Sequence, residues 1–265
     1  MADEVAFAAQ RVFQPYLRDR AFVNGDWVEA RDGRRFDVTD PSSDRIIVSV
    51  PRMGAAETRE AIAAAEAALP SWRNSTAGER ARVLKRWATL MMERQEALAA
   101  LLTTEQGKPV AESRAEIAYG ASFLEWFAEE GKRAYGVMVP PHRADNRMVV
   151  TKEPIGVCAG ITPWNFPCAM VTRKAAPALA AGCTMVLKAA EQTPLSALAL
   201  CVLAEEAGLP PGVFNVQLAK LSEISVQARS LGRDQFPEDV VGAVTFLAEP
   251  ITGQTLIVDG GAYFN

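Results

Sequence analysis

Four side chains in the middle of the chain could do chemistry. Asn165 places an amide inside the loop Thr162-Pro163-Trp164-Asn165-Phe166-Pro167, Cys168 follows directly, and Lys188 and Glu191 stand close together further on. Cys168 falls at the start of a stretch with helical spacing, where the helix dipole lowers a thiol pKa and favours reactivity. A buried, inert thiol is nevertheless the favoured reading. Lys188 at a strand end reads by itself as a solvated charge, and Trp164 and Phe166 read first as core residues. The combination of loop, lysine and glutamate is what points to a ligand edge.

The surrounding elements must position these groups. Ile155 to Ile161 is a short uncharged run of small and apolar residues, which predicts a strand buried on both faces of a parallel sheet. Pro163 and Pro167 stiffen the loop that follows. Cys168 to Ala181 has helical spacing and stops at Gly182; Thr184 to Lys188 is a second strand. Thr193-Pro194 reads as an N-cap followed by proline at the first helical position, opening a helix to about Ala207. Val213 to Val216 is a third strand. Strand-helix-strand-helix-strand predicts right-handed crossovers and a parallel sheet, with ligands beyond the carboxyl ends of the strands. The 162–167 loop and the 188–191 turn both lie there. Neither G-x-G-x-x-G nor G-x-x-x-x-G-K-[ST] occurs, so pattern alone leaves the ligand unspecified.

The first 150 residues supply a hairpin and a helical layer. Phe22 to Val28 folds back at Asn24-Gly25, and Ile46 to Val50 is a further strand. Ala55 to Leu69 is an alanine-rich helix. Thr76-x-x-Glu79 is a capping box that opens a long helix ending at Gly107. Pro109 starts the next helix, and Met148 to Thr151 is a strand. The fold class is α/β: a partial Rossmann-like parallel sheet with crossover helices, an N-terminal helical layer and a β-hairpin.

Residues from about Leu17 to Val216 resemble the N-terminal part of the aldehyde dehydrogenase superfamily, in particular its succinate-semialdehyde dehydrogenases. The resemblance is carried by Val23-Asn-Gly-Asp-Trp27, Glu105-Gln-Gly-Lys-Pro109, Thr162-Pro-Trp-Asn-Phe-Pro167, Pro177-Ala-Leu-Ala-Ala-Gly-Cys-Thr184 and Val186-Leu-Lys188. It implies that Asn165 helps bind an oxyanion. It implies that Lys188 and Glu191 touch the adenosine ribose of a dinucleotide whose chain passes Ile161, Thr162, Pro163 and Trp164. Glu191 resembles NAD-preferring members, because its carboxylate would repel a ribose 2′-phosphate; NADP is the weaker expectation. Ala189 stands where the family has a proline.

The family chemistry needs a thiolate, amide donors for the oxyanion, hydride transfer to the cofactor and a base-activated water. The sequence contains neither the family's Glu-Leu-Gly-Gly-Lys base motif nor its Gly-Gln-x-Cys nucleophile. Leu231 to Ala248, leading into Ile251 to Gly261, instead resembles the end of a short-chain dehydrogenase/reductase. The expected division is 1–217 as the aldehyde dehydrogenase-like region and 218–265 as a helix-strand tail. Thr255 to Val258 is expected to pair beside Val213 to Val216 or on another open sheet edge. Three readings follow: an NAD-dependent aldehyde oxidiser, a weak NAD-binding protein without catalysis, and a non-functional hybrid.

Composition narrows the partners. Net charge is −4 over 265 residues, which does not suggest a nucleic-acid or anionic-membrane surface. No apolar run reaches membrane-spanning length, so a cytoplasmic protein acting on a small-molecule aldehyde, with homo-oligomerisation open, is the expectation. The four cysteines, at 158, 168, 183 and 201, show no C-x-x-C spacing, and His142 is the one histidine, so no metal site is expected.

Overall fold

The computed structural model describes residues 11–219. Nine strands and six α-helices occur among them. A hairpin, β1 (Ala21–Val23) and β2 (Asp26–Val28), is followed by a second antiparallel pair, β3 (Arg35–Thr39) and β4 (Ile46–Pro51). Four helices come next: α1 (Ala55–Asn74), α2 (Ala77–Glu93), α3 (Gln95–Gln106) and α4 (Val110–Gly131). A small hairpin, β5 (Val137–Val139) and β6 (Met148–Val150), leads into β7 (Val157–Ile161). Then come α5 (Ala169–Ala180), β8 (Thr184–Ala189), α6 (Pro194–Glu206) and β9 (Phe214–Leu218).

The main sheet has the order β2-β1-β9-β8-β7. β7, β8 and β9 are parallel, joined by the crossover helices α5 and α6. Val157 pairs with Thr184 and Ile161 with Lys188, while Lys188 pairs with Gln217. This register brings the ends of β7 and β8 level. β8 is central, and Thr184 to Leu187 are buried. Its alternate residues serve two cores, as the two-residue period of a strand requires. Val186 meets Ala61 and Ala65 of α1, whereas Met185 and Leu187 join the core formed with α5, α6 and the outer helices. Trp87 of α2 is fully buried there, 5.7 Å from the Phe214 ring. The parallel sheet, its crossovers and the helical layer all follow the sequence reading.

Local signals hold where they concern turns and caps. Asn24 and Gly25 have φ of 56° and 82°, the left-handed pair that a tight hairpin turn needs. Thr76 accepts from the Glu79 amide at 3.2 Å, and the Glu79 carboxylate accepts from the Thr76 amide at 2.7 Å. Gly107 closes α3 at φ 88°.

Several expectations change. The helix expected to end at Leu69 continues through Pro70 to Asn74. Proline removes one intrahelical bond, but Glu66, whose carbonyl loses its donor, is exposed to water. The single helix expected between Thr76 and Gly107 is two, broken at Arg94 (φ −111°, ψ 16°). An unbroken helix would be about 45 Å long; the break lets Leu84, Trp87 and Met91 on one half and Leu98, Leu101 and Leu102 on the other all be buried.

β7 begins at Val157 rather than Ile155, and it is not buried on both faces. It forms one edge of the sheet, with Ala159 exposed and Ile161 65% exposed. Its composition reports apolarity, not how many neighbours cover it. The edge beside β9, expected to receive Thr255 to Val258, is taken by β1, with Phe22 opposite Val216. Asn215 locks that junction, accepting from the Asn24 amide at 2.9 Å and donating to the Gly212 carbonyl at 2.8 Å. The tail itself lies outside the described residues. Among the described residues no helix is long and apolar enough to cross a membrane.

Candidate functional site

The carboxyl edge of the parallel strands brings the predicted residues together. Thr162 leaves β7 with its amide bonded to the Lys188 carbonyl at 3.1 Å. Lys188 Nζ lies 3.2 Å from Glu191 Oε2, and both side chains are nearly enclosed, at 13% and 12% exposure. Thr193 Oγ1 donates to the Trp164 carbonyl at 3.4 Å, tying the 189–193 turn to the 162–167 loop. Ile161, Pro163, Trp164 and Asn165 are exposed on this edge. Trp164 (54% exposed) and Phe166 (41%) are therefore surface residues of the loop rather than core.

Lys188 is not the solvated charge that an isolated lysine would be. It and Glu191 set a donor and an acceptor side by side, the arrangement that a vicinal diol satisfies by accepting from one and donating to the other.

Both helix N-termini that face this edge are already occupied. Glu116 of α4, 3% exposed, accepts from the Cys168 and Ala169 amides at 2.9 and 3.2 Å. Glu105 of α3, 2% exposed, accepts from the Leu195 and Ser196 amides at 2.8 and 2.7 Å. Helix N-termini attract anions because free amides and the dipole coincide there. Here protein carboxylates have taken those amides, two on each helix. Thr193, expected as the side-chain cap of α6, makes no such bond, because Glu105 fills that role from another layer.

Burial disfavours the thiolate at three of the four cysteines. Cys168 sits at the N-cap of α5, yet its pKa is pushed well up, first by burial and then by the nearby Glu116 and Glu105 carboxylates, against a smaller pull from Lys108. The dipole argument fails because the amides that would stabilise a thiolate already bind Glu116. Cys201 is likewise raised by burial, and Cys158 is pushed up to about 11 by burial and the adjacent Cys183 thiol.

Lys108, Glu105 and Glu116 were missed as site residues. Lys108 Nζ lies 2.5 Å from Glu116 Oε2, donates to the Asn165 carbonyl at 3.0 Å and lies 4.3 Å from the Phe166 ring centre. Glu105 and Lys108 fall inside Glu105-Gln-Gly-Lys-Pro109, a segment that carries the family resemblance but implies no role for either residue. Glu116 offered one signal, a carboxylate on the same face as Ile117, Gly120 and Leu124, which are all buried.

A family model described as "Aldehyde dehydrogenase family" matches residues 27–261. The chain belongs to the aldehyde dehydrogenase family. It is 55% identical to the succinate-semialdehyde dehydrogenase (NADP(+)) GabD of Escherichia coli K12, over 91% of this chain and 48% of that protein. It is 59% identical to a glutarate-semialdehyde dehydrogenase of Pseudomonas putida KT2440, over 78% of this chain and 43% of that protein. A crystal structure of betaine aldehyde dehydrogenase from Staphylococcus aureus in complex with NAD+ superposes with a TM-score of 0.79 at 33% identity, covering 86% of this chain and 46% of that one. The chain spans about half the length of the curated relatives it matches. The aldehyde dehydrogenase match also runs through Leu231 to Gly261, the segment that resembles the end of a short-chain dehydrogenase/reductase. That segment lies outside the described residues.

Proposed function

We propose that this chain supplies the ribose-binding edge and the oxyanion amide for NAD(P)-dependent oxidation of a semialdehyde, succinate semialdehyde being the first candidate. We infer that the described residues do not themselves oxidise it. The observation that carries the reading is the Lys188–Glu191 pair at the end of β8, level with the loop that presents Asn165. Lys188 and Glu191 would hold the adenosine ribose, and the dinucleotide would pass Ile161, Thr162, Pro163 and Trp164. When bound, the nicotinamide supplies a hydride acceptor. Asn165 would donate its amide to the oxygen of the reacting carbonyl. The buried Cys168, its pKa raised, does not supply the attacking thiolate, so the described residues act as a weak dinucleotide binder.

NAD is the preferred partner in this reading, because the Glu191 carboxylate repels a 2′-phosphate. Lys188 pairs with that carboxylate and offsets part of the repulsion, so the preference is modest. One relative is named for NADP(+) and a structural neighbour holds NAD+, so the family supports either partner.

Calorimetric titration tests the site. Weak NAD binding is expected, weakened about ten- to hundredfold in Lys188→Ala or Glu191→Ala, since a charged hydrogen bond contributes roughly 1.5–3 kcal/mol. Unchanged affinity in both variants would refute the site. Mixing the chain with a polypeptide carrying the family's Gly-Gln-x-Cys and Glu-Leu-Gly-Gly-Lys segments tests Asn165. NADH formation from succinate semialdehyde should appear with the native chain and fail with Asn165→Ala.

A further inference from the structure

We propose that Lys108 is a positioning residue that clamps the Asn165 loop to the helical layer and so sets the direction of the Asn165 amide. The proposal rests on the reading of Asn165 as the oxyanion donor.

Three contacts of one ammonium group define the clamp. Lys108 Nζ donates to the main-chain carbonyl of Asn165 at 3.0 Å, which fixes the peptide plane from which that side chain projects. It lies 4.3 Å from the Phe166 ring centre, so the same charge holds the next residue by its aromatic face. It pairs with Glu116 at 2.5 Å, and Glu116 binds the Cys168 and Ala169 amides. Residues 165 to 169 are thus held at both ends by one buried ion pair, whose side chains are 10% and 1% exposed.

The lysine is itself fixed in place. Gly107 before it has a left-handed φ of 88°, with space for a Cβ closed by Pro41 Cγ at 2.9 Å. Pro109 after it is the N-cap residue of α4. The Lys108 amide is bonded to Gln106 Oε1 at 3.1 Å. By contrast, the Asn165 loop is exposed from Pro163 to Phe166 and has few other anchors: the Thr193 hydroxyl on the Trp164 carbonyl, and the Met170 amide on the Phe166 carbonyl at 2.9 Å.

A structural role and a positioning role separate in a pair of variants. Lys108→Met leaves the Glu116 carboxylate buried without its partner, and loses stability for that reason alone. Lys108→Met/Glu116→Gln removes both charges and keeps an oxygen for the Cys168 and Ala169 amides. That double variant should fold and melt near the native chain, yet the Asn165 carbonyl still lacks its donor. Backbone ¹⁵N order parameters at Trp164, Asn165 and Phe166 should fall from about 0.85 to below about 0.6. Those in β8 and α6 should not change. If the double variant keeps native order parameters in the loop, Lys108 merely neutralises Glu116 and the proposal is overturned. Asn165→Ala leaves the carbonyl bond in place, so loop order should survive it. If that variant still supports complementation, the oxyanion reading fails, while the clamp is judged by the order parameters alone.

Discussion

Glu105 offers the sharpest quantitative test of the packing. Its carboxyl is fully buried and pushed up to about 7, chiefly by desolvation, with the Ser196 and Leu195 donors pulling the other way and the Glu116 charge adding to the rise. Burial therefore outweighs two amide bonds. The folded pKa lies above the unfolded value of 4.5. The folded state thus binds the proton more tightly, and stability from this group is fully present below about pH 4.5 and lost as pH rises through about 7. At 1.36 kcal/mol per pH unit, the loss totals about 3 kcal/mol. Glu105→Gln removes the titration. Urea unfolding of both proteins from pH 5 to 8.5 should show the native chain losing about 2.5 kcal/mol relative to the variant across that range, because part of the total is already lost at pH 5. The variant itself should be less stable at the acid end, because its NH₂ group faces an amide donor at the α6 N-terminus. Subtracting the variant removes every other titration that the two proteins share. Parallel stability curves across the window would refute the argument.

Further predictions follow from other sites. Gly212→Ala should destabilise by roughly 2–4 kcal/mol in thermal melts, because φ is 78° and the new Cβ would lie 2.8 Å from the Ala64 carbonyl oxygen. A change under 0.5 kcal/mol would contradict the contact. Thr76→Ala opens the α2 capping box and should lose about 1 kcal/mol in chemical denaturation; no loss would mean that the cap is replaced by water. Cys168 should resist iodoacetamide at neutral pH in the native chain and react once the chain is unfolded. Labelling as fast as free cysteine would restore it as a candidate nucleophile.

Some of this molecule was legible in its sequence. The Asn24-Gly25 turn, the Thr76–Glu79 capping box, the Gly107 stop and the β7–α5–β8–α6–β9 alternation depend on residues a few positions apart. Short-range sterics and hydrogen bonds decide such features, so residue order is enough to read them. The Thr162 to Pro167 loop and the Lys188–Glu191 turn were readable because strand ends place them on one edge by topology alone.

What tertiary structure decided is the electrostatic support beneath that edge. Glu116 reaches the α5 N-terminus from 52 residues earlier in the chain, and Glu105 reaches that of α6 from 90 residues earlier. The local reading instead gave α6 to Thr193; for Cys168 it allowed a free dipole while favouring a buried, inert thiol, and burial is what the structure shows. No local pattern encodes a capping carboxylate from another layer, because helix packing alone brings it there. The same holds for Lys108, whose three contacts lie on Asn165, Phe166 and Glu116. It holds also for the exposed face of β7 and for the β1 hairpin on the β9 edge. Apolar content fixes that a strand forms, but the number of its neighbours depends on how the whole sheet assembles.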